Sequence, residues 1–434
     1  MSSEVVIPCL ADEAPPQEVR RNFRLGVMNG VFYIIGEALL DPTLVLVAFV
    51  SQLSPMALFV GLVLPLRDSL WAIPQLWMSG FVQSLPRKIV LCRRVTVVRM
   101  ISWVLLTLEI NFISDPHILL IAFFVTFGIS SFASGVNGLA FMEVVSKTIP
   151  SRRRGEFFAW RLGISGVINI GSSLLVRWLL SPQSPLSFPH NFGLLSFLYM
   201  IFASVGLISF NMINEPADEE VLPVQPIHVL IKRAVVFLKQ DAIYRNFMVL
   251  LSVMEVAAMA TPFFAVYVQQ VLGGDPSMVG IYLGITIVSN LVSNLLFGRV
   301  SIRYGNRRVM LFSAVAGTLM SLSVLLLTLL AEPLQISATA ASLWLIPVFI
   351  FAGVRTTGYT ISSSSILLDI SPVNNRSLYV GFLNTLTGLV LLATGFSGLL
   401  KDLVGIKFLV AITLAAHLLA LYLTLNIRVK RSAR

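Results

Sequence analysis

The chain has 434 residues, 56% of them hydrophobic and 12% charged, with a formal net charge of +10. Soluble domains carry roughly 25% charged residues, so this balance and a mean hydropathy of +0.86 exclude an ordinary soluble fold. They describe an all-α polytopic membrane protein, whose lipid-facing surface needs no charge, and no aromatic-interleaved basic run marks a nucleic-acid surface.

Residues 1–22 are polar and Pro-containing, without the basic stretch and apolar core of a signal peptide. They are expected to form a disordered tail. A span needs about 20 mainly apolar residues, which predicts helices over 25–50, 55–79, 95–113, 117–140, 156–180 and 191–213, then 244–271, 277–298, 309–331, 342–366, 378–400 and 404–427. The expected units are a bundle of six helices over 23–213, a linker over 214–243, a second bundle over 244–428 and a tail over 429–434. The linker has two parts. "NEPADEEVLPVQP" is acidic and Pro-rich, while "IHVLIKRAVVFLKQ" places Ile227, Leu230, Ile231, Ala234, Val235 and Leu238 at helical spacing opposite Lys232, Arg233 and Lys239. That second part is either an amphipathic helix lying in the membrane interface or a solvated linker helix. Cys9 and Cys92 offer neither metal spacing nor a disulfide framework.

Basic residues set the orientation. The tails and the loops on their side hold 25 of the 31 Lys and Arg, Arg99 counted among them, while Lys401 and Lys407 flank an opposite-side loop. This asymmetry predicts that both termini are cytoplasmic, in a multi-pass protein of a bacterial inner membrane.

The halves repeat. "SPMALFVGL" (54–62) parallels "DPSMVGIYLG" (275–284), and "PSRRRGEFFAWRLGISG" from Pro150 parallels "PVNNRSLYVGFLNTLTG" from Pro372. In the second pair Arg follows Pro by four residues and Gly follows that Arg by twelve. Equal order and polarity make these parallel repeats, one arrangement of secondary transporters. Over residues 20–430 the chain resembles the major facilitator superfamily. "GRVSIRYGNRR" (298–308) is similar to that family's loop motif at Gly298, Arg303, Gly305, Arg307 and Arg308, with Ile302 where the motif has Asp. In "SGFVQSLPRK" (79–88) Gln83 or Ser84 stands at the acid and Pro86 at the glycine. The resemblance implies twelve transmembrane helices in two parallel six-helix repeats, and it implies that the acid-based latch of these loops is missing here.

Charges inside spans cost on the order of 3 kcal/mol each on insertion scales and mark cavities or paired partners. Glu37 is central in the first span and Asp41 follows on the same helix face. Arg67 and Asp68 are central in the second, at the depth of Glu37, with Trp71 and Gln75 on the face of Arg67. Glu255 and Arg355 are central in the seventh and tenth spans. Glu37, Asp41, Asp68 and Glu255 are the candidates for proton coupling, because a carboxylate in low dielectric holds a proton near neutral pH. Arg67, Arg355, Trp71, Gln75, Asn290, Asn294, Tyr359 and Asn384 are the candidates for substrate contact, arginine offering a planar fork to carboxylate or phosphate. The same arginines also read as partners in Glu37–Arg67 and Glu255–Arg355 ion pairs, and the polar residues as helix–helix hydrogen bonds. Glu109, Arg161 and Arg177 lie near span ends, where they can reach water, and His417 reads as packing. Pro42, Pro65, Pro74, Pro262 and Pro347 interrupt spans and permit kinks.

No phosphate-cradling loop, metal cluster or catalytic triad is visible, so no enzyme, cofactor or metal is expected. The expectation is a monomeric secondary transporter in the lipid bilayer. It would move a small solute with protons by alternating access, and two central arginines favour an anionic or zwitterionic solute. The degenerate loop motifs leave a second reading, a transporter-like scaffold for assembly, sensing or pigment handling. A dry interior at Arg67 and Arg355 would favour the scaffold, and a polar cavity there the transporter.

Overall fold

The computed structural model describes residues 15–218, 221, 223–372 and 375–427. Cys9 and the expected C-terminal tail lie outside them. The described residues are helices and connecting turns. The first half holds α1 (Pro16–Leu39), α2 (Val45–Leu53), α3 (Ala57–Ala72), α4 (Gln75–Phe81), α5 (Ile89–Phe112), α6 (Pro116–Thr148), α7 (Arg154–Leu179) and α8 (His190–Asn211). After the linker helix α9 (Ile227–Gln240), the second half holds α10 (Ala242–Ala257), α11 (Phe263–Val271), α12 (Met278–Tyr304), α13 (Asn306–Leu330), α14 (Ala338–Ile370), α15 (Arg376–Thr394) and α16 (Ser397–Asn426). The first helix starts before the expected tail boundary at 22, since Pro16 suits a first helical position and Glu18 suits the positive end of the dipole.

Eight helical stretches among the described residues are long and apolar enough to cross a membrane. The other four expected spans are helical too, for identifiable reasons less uniform. Two break at prolines, between α1 and α2 around Pro42 and between α10 and α11 before Pro262. One, α5, carries Arg93, Arg94, Arg99 and Glu109. The last is α15, extended by the start of α16 up to a non-helical Gly405 with φ 82°. Pro65 and Pro347 sit inside continuous helices. The outer faces are apolar: Ile118, Ile121, Val125, Ile129 and Phe132 form an exposed i, i+3/i+4 stripe on α6, the reverse of a soluble amphipathic helix.

The halves repeat each other in packing. α1 lies on α8 as α10 lies on α16, and α5 lies on α6 as α13 lies on α14. They meet along two seams, α7 on α12 and α3–α4 on α15. The side of the chain that carries the linker differs from the far side. On the far side one apolar core spans both halves, joining Phe49 and Val50 of α2 to Phe263 and Phe264 of α11 and to Tyr282 and Phe349. On the linker side the first half has its own core around Met78, Val144, Phe157 and Phe210. The second half has another around Phe247, Met254, Met310 and Ile366.

The α3–α4 break is held by the opposite half. Pro74 has no N–H, so the helical ladder fails there. The Thr385 hydroxyl of α15 accepts from the Leu76 N–H at 3.2 Å and donates to the Ile73 carbonyl at 3.0 Å. The helix α9 closes over this seam. Its apolar face inserts Leu230 and Ala234 between Leu76 and Leu378, and Arg233 donates to Asn375 at 3.0 Å. Leu230 and Ala234 of its apolar stripe are covered by both halves, while Ile227 and Ile231 stay exposed.

The acidic part of the linker is likewise docked. Glu215, whose side chain is fully buried, accepts from Lys147 at 2.9 Å and from the Ile89 N–H at 2.6 Å. Asp218 accepts from Lys147 at 2.7 Å and pairs with Lys88. Burial would raise the Asp218 carboxyl, but the two lysines hold it below its ordinary value. Its contribution is therefore complete above the ordinary aspartate range of about 3.9 and is lost as pH falls through its lowered folded value. Removing one partner of a buried pair leaves an uncompensated charge, at about 3–5 kcal/mol. Lys147→Met is expected to lower the detergent melting temperature by several degrees, and Lys147→Met with Glu215→Met to recover part of it. Equal melting of the single variant and the parent would show that this docking carries no stability.

Candidate functional site

Pro42 breaks the first span one turn after Glu37, and Asp41 shapes the break. Its Oδ1 accepts from the N–H groups of Thr43 and Leu44 at 3.0 and 2.9 Å, amides of the turn that leads into the short helix α2. Asp41 is thus turned to its own backbone and not to the face of Glu37. The depth match between the first two spans holds. Glu37 pairs with Arg67 through Oε2 and accepts from the Tyr199 hydroxyl through Oε1 at 3.3 Å. Arg67 also lies 3.5 Å from Asp68. One guanidinium of α3 therefore gathers a carboxylate from α1 and one from its own helix.

These groups line a cavity of about 320 Å³ formed by first-half residues alone. Its walls are Tyr33, Glu37, Arg67, Asp68, Trp71, Trp103 and Tyr199, with Ser102, Thr126, Ser130, Ser131 and Ser134 opposite. The side chains of Asp68 and Arg67 are 42% and 34% exposed.

Arg99 lines it too, although the basic-residue count places it in a loop. α5 begins at Ile89 and not near 95, so Arg99 lies inside the helix and is 4% exposed. It donates to the Tyr33 hydroxyl at 2.6 Å and stacks over the Tyr33 and Trp103 rings at 5.1 and 4.9 Å. A sequence signal existed. Cys92, Thr96, Arg99, Trp103, Leu106 and Ile110 recur at i+3/i+4 and are all buried, so Arg99 falls on the inward stripe while Arg93 and Arg94 fall outside it.

The second half is arranged differently. Glu255 accepts from the Tyr359 hydroxyl. Arg355 does not form the expected pair with Glu255; it donates to the Met254 carbonyl at 3.0 Å and from Nε to His417 Nε2 at 3.2 Å. His417 is fully buried, and its Nδ1 lies 3.0 Å from both the Thr413 carbonyl and the Ser321 hydroxyl. A carbonyl only accepts, so Nδ1 carries the hydrogen and Nε2 is the acceptor for Arg355. His417 is the partner of Arg355 and not packing alone.

Other candidates are tied to one another. Asn384 donates to Gln75 Oε1 at 2.6 Å across the α4–α15 seam. Asn290 accepts from Thr357 at 3.0 Å, and Asn294 is half-buried one turn further on. Arg161 is buried and not snorkelling, donating to the Gly26 carbonyl at 2.6 Å and to Asn29 at 2.9 Å; a Cβ at Gly30 would overlap its guanidinium. Arg177 is exposed. Glu109 accepts from Thr126 at 2.6 Å. In the loop motif, Gly305 has φ 88°, Arg307 donates to the Thr424 carbonyl at 3.1 Å and Arg308 stacks on Tyr304. Arg303 is exposed beside Gly298, which faces open space, and Ile302 in the acid position is 70% exposed.

Comparison with protein families places this geometry. The family model described as Major Facilitator Superfamily matches residues 26–389 and 246–433. The chain belongs to the Major Facilitator Superfamily. Membership sets it among membrane transport proteins and apart from enzymes. Solved structures of the superfamily share the fold. A D-xylose-proton symporter has a TM-score of 0.69 at 13% identity, with 94% of this chain and 98% of that one covered. An auto-inhibited POT family peptide transporter has 0.68 at 12%, covering 95% and 98%. A bacterial homologue of the iron transporter ferroportin in an inward-facing state has 0.63 at 14%, covering 96% and 99%. A comparison with curated proteins finds no match.

The turn geometry separates a structural role for Asp41 from a titrating one. Asn accepts such amides as Asp does, whereas Ala, which cannot, costs about 1 kcal/mol at the comparable helix cap. Asp41→Asn is expected to melt with the parent and Asp41→Ala to melt a few degrees lower in detergent. A large loss in the Asn variant would show that the charge itself is needed.

Proposed function

We propose that this superfamily member is a secondary active transporter that carries a small anionic or zwitterionic solute together with a proton by alternating access. The observation that carries the reading is the cavity at Arg67, lined by two arginines, two carboxylates and several hydroxyls of the first half. The far-side core spans both halves, so the halves are closed on that side. The distribution of Lys and Arg supports the cytoplasm as the linker side.

Coupling follows from the charges on Arg67. It is held by Glu37 and leans on Asp68. The cavity holds two arginines, Arg67 and Arg99, and two carboxylates, Glu37 and Asp68, so an added solute anion would leave one negative charge uncompensated in low dielectric, which costs several kcal/mol. Protonation of Glu37 or Asp68 removes that cost, so anion and proton bind together. The return step, with the site empty, restores the Glu37–Arg67 pair and needs no proton. Tyr199 and Trp103, in edge contact at 5.1 Å, hold the wall beside Glu37 while its charge changes.

A thermal-shift screen of purified protein against metabolites identifies the solute, and proteoliposomes then test the coupling. The parent is expected to accumulate solute under an imposed pH gradient. Glu37→Gln, which mimics the protonated acid, is expected to keep solute exchange while accumulation falls by tenfold or more. Uptake by the parent that ignores the pH gradient would refute the coupling.

A further inference from the structure

We propose that Arg99 is the receptor for a carboxylate on the solute, and that the solute is a small organic acid lodged wholly within the first half. This deepens the transport reading and rests on the first-half cavity being the solute site. The argument is one of unequal neutralisation. Two arginines face one cavity. Arg67 has two carboxylates for company, Glu37 and Asp68. Arg99, at 4% exposure, has none at ion-pair distance among the described residues, and its Nε–H is buried without a partner there. A buried cation without a counterion is costly. Stacking on Tyr33 and Trp103 offsets part of that, and the Tyr33 hydroxyl satisfies one N–H. That Nε–H is shut off from the cavity, so the terminal amino groups supply the remaining donors, in the planar arrangement that takes a carboxylate.

The cavity sets the rest of the solute. Its 320 Å³ corresponds to roughly ten waters at about 30 Å³ each, room for a ring or short chain and one acid group. Trp71 and Trp103 offer flat apolar faces, and Ser130 and Ser134 hydroxyls lie on the α6 wall. Arg355 lies in the other half and is occupied by His417 and the Met254 carbonyl, so it is not needed to hold the anion.

Trp71 and Trp103 report on occupancy. Benzoate and glucuronate are titrated into the detergent-purified full chain, with benzamide as the neutral counterpart, while tryptophan fluorescence is followed. At least one carboxylate is expected to change the emission saturably, and benzamide to bind tenfold or more weakly. Arg99→Gln is expected to weaken the carboxylate by at least tenfold, and Arg99→Lys by less. Equal binding of benzoate and benzamide to the unmodified protein, no saturable binding by either acid, or an unchanged affinity in a folded Arg99→Gln variant would each overturn the assignment. The comparison of acid with amide uses the unmodified chain, so it decides even if Arg99→Gln fails to fold. Carboxylate binding without uptake in proteoliposomes would remove the transport reading and leave this one; uptake of a solute that has no carboxylate would do the reverse.

Discussion

The structure is organised around one guanidinium in the middle of an apolar helix. Arg67 cannot face lipid without a large cost, so α3 must turn it inward and other helices must meet it. Glu37 answers from α1, and Tyr199 reaches the same carboxylate from α8. Three helices are thereby fixed in azimuth by one charge and its partners. Ridges of apolar side chains could pack in several registers; a charge with one acceptable partner cannot. The cavity beside Arg67 is bounded by the rings of Trp103 and Tyr199 and, on α6, by Phe127 and the hydroxyls of Thr126, Ser130, Ser131 and Ser134.

The two halves have diverged in what they do with the same plan. In each, an acid precedes a proline break, Glu37 before Pro42 and Glu255 before Pro262. In the first half that acid takes an arginine, and a cavity lies beside the pair. In the second it takes the Tyr359 hydroxyl, and the arginine is satisfied by a histidine locked in one tautomer. One half thus keeps charges that can be exchanged, and the other keeps its charges satisfied internally. Between them, the far side is joined by a continuous apolar core, while the linker side is joined mainly through one seam and the helix laid over it.

What could be read from the sequence was whatever depth alone decides. Hydropathy located the helices, eight of them among the described residues long and apolar enough to cross a membrane, and a charge far from either end of a span marks itself by its cost, which is why Glu37, Arg67 and Asp68 stood out. Azimuth and tertiary partners were not visible in this way. Arg99 follows a run of loop-like basic residues, and only its register with Thr96 and Trp103 shows that it faces inward. His417 lacks an acidic neighbour in sequence because its partner comes from another helix. Arg161 sits near a helix end, yet Gly30 of α1 leaves room for it to turn in. Asp41 shares a face with Glu37 only in an unbroken helix, and Pro42 removes that premise. The acidic linker reads as solvated because its lysine partners lie 68 to 130 residues away.

The seam bears on how such a molecule could move. The break at Pro74 leaves backbone groups that a continuous helix would pair within itself, and Thr385 from the opposite half satisfies them. Gln75 and Asn384 add a second bond at the same level. If the halves separate here, these groups lose their partners together and must find water, because lipid offers none. α9 opposes that separation. Leu230 and Ala234 on its apolar face are buried only while Leu76 and Leu378 stay close, so opening the seam also exposes them. A cluster of a few small contacts, each weak alone, acts as one unit because backbone groups within a membrane cannot be left unsatisfied. The acid missing from both loop motifs need not be the means by which this chain closes its linker side.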